Sequence, residues 1–138
     1  MVLATVKQRI LSSLIDTAII VTTFCLYVSY FGNYVEDEDG LHKQVTGFAA
    51  LLLFIILLGY FVIPESLTGK SLGKAVLKIK VVKQDGDNIT FSNSLVRHLF
   101  DIIDWLPFCF IVYIIIMKRT EYNQRVGDIV AKTIVIQS

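Results

Sequence analysis

Two long runs of this 138-residue chain are almost free of charge. Ile10–Phe31 has 22 residues with Asp16 as its only formally charged side chain, and Val45–Ile63 has 19 with none. At 1.5 Å of rise per residue they reach about 33 and 28 Å, close to the roughly 30 Å of a bilayer's hydrocarbon core. The pattern predicts two transmembrane helices. Lys7 and Arg9 ahead of the first run would also suit a signal peptide, but its apolar core is too long and VSYFGNY offers no small-residue cleavage pattern.

A third apolar stretch, Leu99–Met117, carries Asp101 and Asp104 near one end and Pro107 in its middle, where proline breaks or kinks a helix. A full span would leave Lys118, Arg119, Arg125 and Lys132 on the side opposite the other basic residues. A hairpin broken at Trp105-Leu106-Pro107 avoids this, with Arg97–Leu106 going partway in and Phe108–Met117 returning, and is preferred to the full span. Between the second and third stretches, AVLKIKVVK at Ala75–Lys83 alternates with period two, QDGDN supplies turn chemistry, and Ile89–Phe91 could return as a short strand. Thr133–Ile136 reads as one further strand, placed against that hairpin.

Charge orients the layout. Lys7 and Arg9 precede the first run, EDED at 36–39 lies between the runs, and Lys70, Lys74, Lys78, Lys80, Lys83 and Arg97 follow the second. Basic residues collect on the cytoplasmic side of spans, so the N-terminus and the 64–97 loop are expected inside. The expectation is a mainly α membrane protein of one domain at the cell (inner) membrane, multi-pass. Spans lie at about 10–31 and 45–63, a cytoplasmic β-hairpin at about 64–94, a broken re-entrant or spanning helical segment at about 95–117, and a cytoplasmic tail at 118–138 whose strand joins the hairpin.

Composition agrees with that class: the chain is 54% hydrophobic with a mean hydropathy of +0.64, and its net charge of +1 excludes a strongly basic nucleic-acid binder. Cys25 and Cys109 sit in apolar segments, where a thiol acts as a small hydrophobe. Gly69-Lys70-Ser71 is not a phosphate loop, because the first glycine of that motif would fall on Pro64. Asp85-Gly86-Asp87 lacks the ligand spacing of a calcium loop, and His42 and His98 have no zinc-like partners. No enzyme chemistry, cofactor or metal is expected.

The candidate chemistry lies in two octets, RILSSLID at Arg9–Asp16 and RHLFDIID at Arg97–Asp104. Similar octets suggest either a repeat or chance likeness in a Leu/Ile-rich chain. On a helix Arg9, Ser12, Asp16, Thr23 and Tyr27 form one polar stripe, with Ser12 and Ser13 able to bridge the first arginine to Asp16. Arg97 shares a face with Asp101 and Asp104, and the i, i+4 spacing permits an Arg97–Asp101 pair. An intramembrane carboxylate costs about 2.5–3.5 kcal/mol on insertion scales, so Asp16 has two readings, a structural partner for an arginine or a group handling ions or protons. In the tail, Arg125 and Asp128 are spaced i, i+3, and Asp128 is expected beside an octet arginine, which otherwise has no fixed partner.

The chain also resembles the RDD family of small integral membrane proteins, named for one arginine and two aspartates. The likeness runs through R-x-L-x-x-L-I-D at Arg9–Asp16, E-x-x-x-G-K-S-L-G-K at Glu65–Lys74, I-K-V-V at Ile79–Val82 and Q-R-V-G-D-I-V-A-K-T-I-V at Gln124–Val135. The family's name residues fall on Arg9, Asp16 and Asp128, with Asp104 the alternative for the last. The resemblance implies a role in transport, since sodium/proton antiport has been proposed for some members. Asp16 would then bind a proton or a cation (sodium or potassium) in alternation, with Arg9 tuning it. Two spans and a hairpin do not enclose a wet pathway, so transport implies a homo-oligomer in membrane lipid. The competing reading is a non-transporting adaptor whose cytoplasmic loop and tail bind a protein partner or anionic lipid.

Overall fold

The computed structural model describes the backbone of residues 1–37, 40–104 and 109–138, and the side chains of these except residues 37, 101–104 and 109–113. Helix α1, Val6–Phe31, starts earlier than the apolar run because of local capping chemistry. Gln8 N–H donates to Thr5 Oγ1 at 3.2 Å while Thr5 N–H donates to Gln8 Oε1 at 3.0 Å, so two otherwise orphaned amides are satisfied. Strands β1, Asn33–Asp37, and β2, Gly40–Gln44, form an antiparallel pair in the acidic linker, which the sequence pattern did not predict. Helix α2, Gly47–Thr68, runs five residues past the predicted end at Ile63 and carries Pro64 within it. Its stop is Gly69, at φ +73°, whose N–H closes back on the Glu65 carbonyl at 2.8 Å.

The lysine-rich loop differs from the predicted hairpin. Ala75 and Val76 belong to a short helix α3, Leu72–Val76, and the strand β3 is confined to Ile79–Lys83. Leu77 and Lys78 make the transition, Lys78 with a left-handed φ of +53°. No strand forms at Ile89–Phe91: Val82 makes a single bridge to Asn88, Thr90 is taken up in a cap with Asn93, and Phe91 opens helix α4, Phe91–Asp104. The partner of β3 is instead β4, Thr133–Gln137, antiparallel with Val81 opposite Val135.

Helices α5, Cys109–Arg119, and α6, Val126–Val130, lie between α4 and β4. The expected break at Trp105-Leu106-Pro107 falls outside the described residues. Both ends of the α4–α5 segment nevertheless join the same structure. Near the start of α4, Asn93 Nδ2 donates to the Ala131 carbonyl at 3.1 Å; beyond α5, Gln124 Nε2 donates to the Thr133 carbonyl at 2.7 Å.

The N-terminus completes this end of the molecule, with Leu3 bridging Ile136 and Ala4 N–H donating to Val135 O at 2.9 Å. Both faces of the β3–β4 pair are covered. Ala4, Ile79, Val81, Ile89 and Val135 form one buried cluster, and Val82, Ile134 and Ile136 the other. Away from this end α1 and α2 keep much apolar surface open, including Phe24, Leu26, Phe54 and Ile55, and both are long and apolar enough to cross a membrane.

Candidate functional site

Where the long helices meet the sheet, charges of alternating sign follow one another through the interior. Arg9, in the first turns of α1, gives one Nη1–H to the Asn123 carbonyl at 2.5 Å and pairs through Nη2 with Asp128 Oδ2. Asp128, on α6 and fully buried, faces Arg97 Nη2 at 2.9 Å through its other oxygen and accepts the Arg125 backbone N–H at 3.0 Å. The Arg125 guanidinium stands farther off, Nε to Oδ1 at 3.9 Å.

Arg97, on α4 and likewise fully buried, reaches Glu65 Oε1 with Nε at 3.3 Å and donates Nη1–H to Thr133 Oγ1 at 3.3 Å. Glu65, near the end of α2, also pairs with Lys74 of α3, lies 3.3 Å from His98 Nε2 and accepts Ser94 Oγ at 3.4 Å. The His98 ring stacks on Phe61, centroids 4.7 Å apart. The order Arg9, Asp128, Arg97, Glu65, Lys74 ties five elements together. Removing ions from water is costly, and alternation of sign offsets that cost.

Two groups of the network outside the long helices are shifted by it. Burial alone would raise the Asp128 carboxyl, but Arg9, Arg97 and Arg125 outweigh it and hold the group well below the ordinary carboxylate range. Burial pushes the Lys74 ammonium below its ordinary range against the opposing pull of Glu65, and the nearby Arg97 and Arg125 push it the same way as burial.

Asp16 has a separate setting two turns deeper on α1. Ser71 Oγ, from the cap of α3, donates to its Oδ2 at 2.5 Å; Gly73 N–H and Tyr60 Oη–H donate to its Oδ1 at 2.9 and 3.1 Å. All three donors are neutral. Gly73 must be glycine here: an added Cβ would lie 2.9 Å from the Asp16 carboxylate and collide with the Ser12 carbonyl. Beside Asp16 is a cavity of about 70 Å³ lined also by Ser13, Phe61, Lys74, His98 and Arg125. That is several times the space one water needs, and its walls carry hydrogen-bonding groups.

The structure thus brings Arg9, Arg97, Arg125 and Asp128 together and gives Asp16 its own partners. Ser12 does not bridge Arg9 to Asp16; its hydroxyl turns to the Arg9 carbonyl at 2.9 Å. Ser13 is half-buried at the cavity, Thr23 is half-buried farther along α1, and Tyr27 Oη donates to the Ala49 carbonyl of α2 at 2.9 Å. The side chains of Asp101 and Asp104 lie outside the described ones, and the described partners of Arg97 are Glu65, Asp128 and Thr133. Glu65, Lys74, Ser71, Tyr60 and His98 were missed as site residues. The first three were present in the stretch E-x-x-x-G-K-S-L-G-K.

Two helices of membrane length, tied at one end by buried ion pairs to the shorter helices α3, α4 and α6 beside a small strand pair, point to a small membrane protein. The model of the RDD family matches residues 3–132, nearly the whole chain, and the protein belongs to that family. No curated protein and no solved structure matches it.

Proposed function

We propose that the protein is a multi-pass membrane protein that exchanges protons for sodium or potassium as a homo-oligomer, with Asp16 as the carboxylate that changes state. One observation carries this reading. Among the described buried carboxylates, Glu65 and Asp128 are matched by cationic side chains, whereas Asp16 is held by two hydroxyls and an amide and borders a polar cavity. A carboxylate clamped by guanidinium groups stays ionised and cannot cycle. One held by neutral donors can trade a proton for a cation without breaking an ion pair. Arg9 does not tune Asp16 directly in this reading, because it is engaged by Asp128. With the positive-inside bias, the N-terminus, the 64–97 loop and the tail are cytoplasmic and α4–α5 is a re-entrant hairpin.

Purified protein in liposomes tests it. A sodium or potassium gradient should drive a change of internal pH, and Asp16→Asn should abolish the flux while the oligomer elutes unchanged. Absence of proton movement under either gradient, with a protein partner co-purifying through the 64–97 loop, would establish the adaptor reading instead.

A further inference from the structure

The two segments that end in β3 and β4 share a backbone path. Gly69 and Asn123, 54 positions apart, both take left-handed φ, +73° and +51°; Lys78 and Lys132, also 54 apart, do so at +53° and +52°. Between these points stand α3 and α6, each five residues long, with Ser71 at φ −83°, ψ 173° and Arg125 at φ −84°, ψ 172° as their N-caps. Their closing bonds also correspond, Leu77 N–H to Gly73 O and Ala131 N–H to Gly127 O. The strand ladder maps onto itself under the same shift: Val81 pairs with its own counterpart Val135, and Ile79–Gln137 becomes Thr133–Lys83.

The segments leading into α1 and α4 correspond as well, at a shift of 85. Leu3 bridges Ile136 as Asn88 bridges Val82. Gln137 N–H donates to Val2 O as Lys83 N–H donates to Asp87 O, both at 2.9 Å. Thr5 caps α1 with Gln8 as Thr90 caps α4 with Asn93. Tertiary packing follows the same shift: Gly73 lies against the Ser12 carbonyl, and Gly127 against the Arg97 carbonyl, where a Cβ would sit at 2.7 Å.

The shifts of 85 and 54 differ by 31 residues, all within the helical hairpin. Most of that difference is helix: α1 and α2 have 26 and 22 residues where α4 and α5 have 14 and 11, so at 1.5 Å per residue each arm is shorter by roughly 17 Å, and the rest of the difference lies in the connecting segments.

We infer that the chain is one unit used twice, residues 2–84 and 87–138, related by an approximate twofold axis at the Val81–Val135 pair, and that Asp101 is the second unit's counterpart of Asp16. The resemblance between the octets pointed to a repeat but in the wrong register. It pairs Arg9 with Arg97 at a shift of 88, whereas in the fold Arg97 takes the place of Ser12, and Ser94 that of Arg9. The counterpart of Asp16 is then position 101, again aspartate, and not Asp104. The units have diverged where they meet: Lys74 and Asp128 are equivalent positions of opposite charge, and Asp128 binds Arg9 of the other unit. Asp101 thereby joins Asp16 as a candidate site residue, an extension that rests on the reading of Asp16 above.

The test is a set of variants of the full chain purified in detergent and heated without any ion gradient, so its outcome is separate from that of the flux assay. Asp16→Asn and Asp101→Asn should lower the unfolding midpoint by amounts within about twofold of each other, and Asp104→Asn by less than about half of either. Loss of folded protein counts as the largest shift. Wild-type behaviour of Asp101→Asn, or an Asp104→Asn effect as large as that of Asp16→Asn, overturns the assignment. Lys78→Gly and Lys132→Gly supply a milder check. Each relieves a left-handed non-glycine residue and should raise the midpoint; a rise in only one refutes the equivalence of the turns.

Discussion

At the scale of single residues, the alternation of charge makes the network intolerant of losing one member. Asp128→Asn leaves the buried Arg9 without its described anionic partner and Arg97 with Glu65 alone, and breaking a buried pair in this way costs about 3–5 kcal/mol. Denaturant unfolding of the detergent-solubilised protein should register that loss. The pH dependence has a definite sign. The folded Asp128 carboxyl titrates below its unfolded value, so its contribution is complete above about pH 4 and fades as pH falls through and below that value. Thermal midpoints measured from pH 7 down to 3 should therefore show the gap between wild type and Asp128→Asn narrowing only at the acid end. Placing Asp128 beside an octet arginine was legible in the sequence, because a buried arginine demands an anion. Glu65 was not. The apolar run ends at Ile63 and Pro64 follows, so Glu65 reads as a loop residue, whereas α2 continues to Thr68 and carries Glu65 into the interior.

At the scale of elements, the interiors of α1 and α2 were legible from the length of their uncharged runs, and their ends were not. The ends depend on side-chain chemistry of a few residues, the Thr5–Gln8 box and the left-handed Gly69, that leaves no periodic trace. Likewise the alternation around Ile79–Lys83 marks a strand but does not name its partner. Thr90 and Asn93 direct the nearer segment into a helix cap, leaving the edge of β3 to β4. Helix contacts make two further predictions. Gly73→Ala should cost about 1–3 kcal/mol or prevent folding, since backbone and carboxylate oxygens occupy the space its Cβ needs. Gly59→Ala, in the middle of α2 with Ile63 Cδ1 at 3.6 Å as the nearest contact among the described residues, should leave the unfolding midpoint at or above the wild-type value.

At the scale of the whole molecule, the α1–α2 segment and the shorter α4–α5 segment both begin and end at the same strand pair. The network closes between the two units at that end, and the β1–β2 linker lies beyond the far end of α1. In the proposed reading α4–α5 is re-entrant, and the N-terminus, the lysine-rich loop and the tail share one side of the membrane. The most direct test of that reading uses single cysteines in a background lacking Cys25 and Cys109, labelled in intact cells with an impermeant thiol reagent. A cysteine at Leu41 should label from outside, and cysteines at Val2 and Ser138 should both label only after the membrane is opened. Labelling of Ser138→Cys from the same side as Leu41→Cys would make α4–α5 a full crossing, separate β4 from β3, and contradict the fold, the charge network and the placement of Asp16 together.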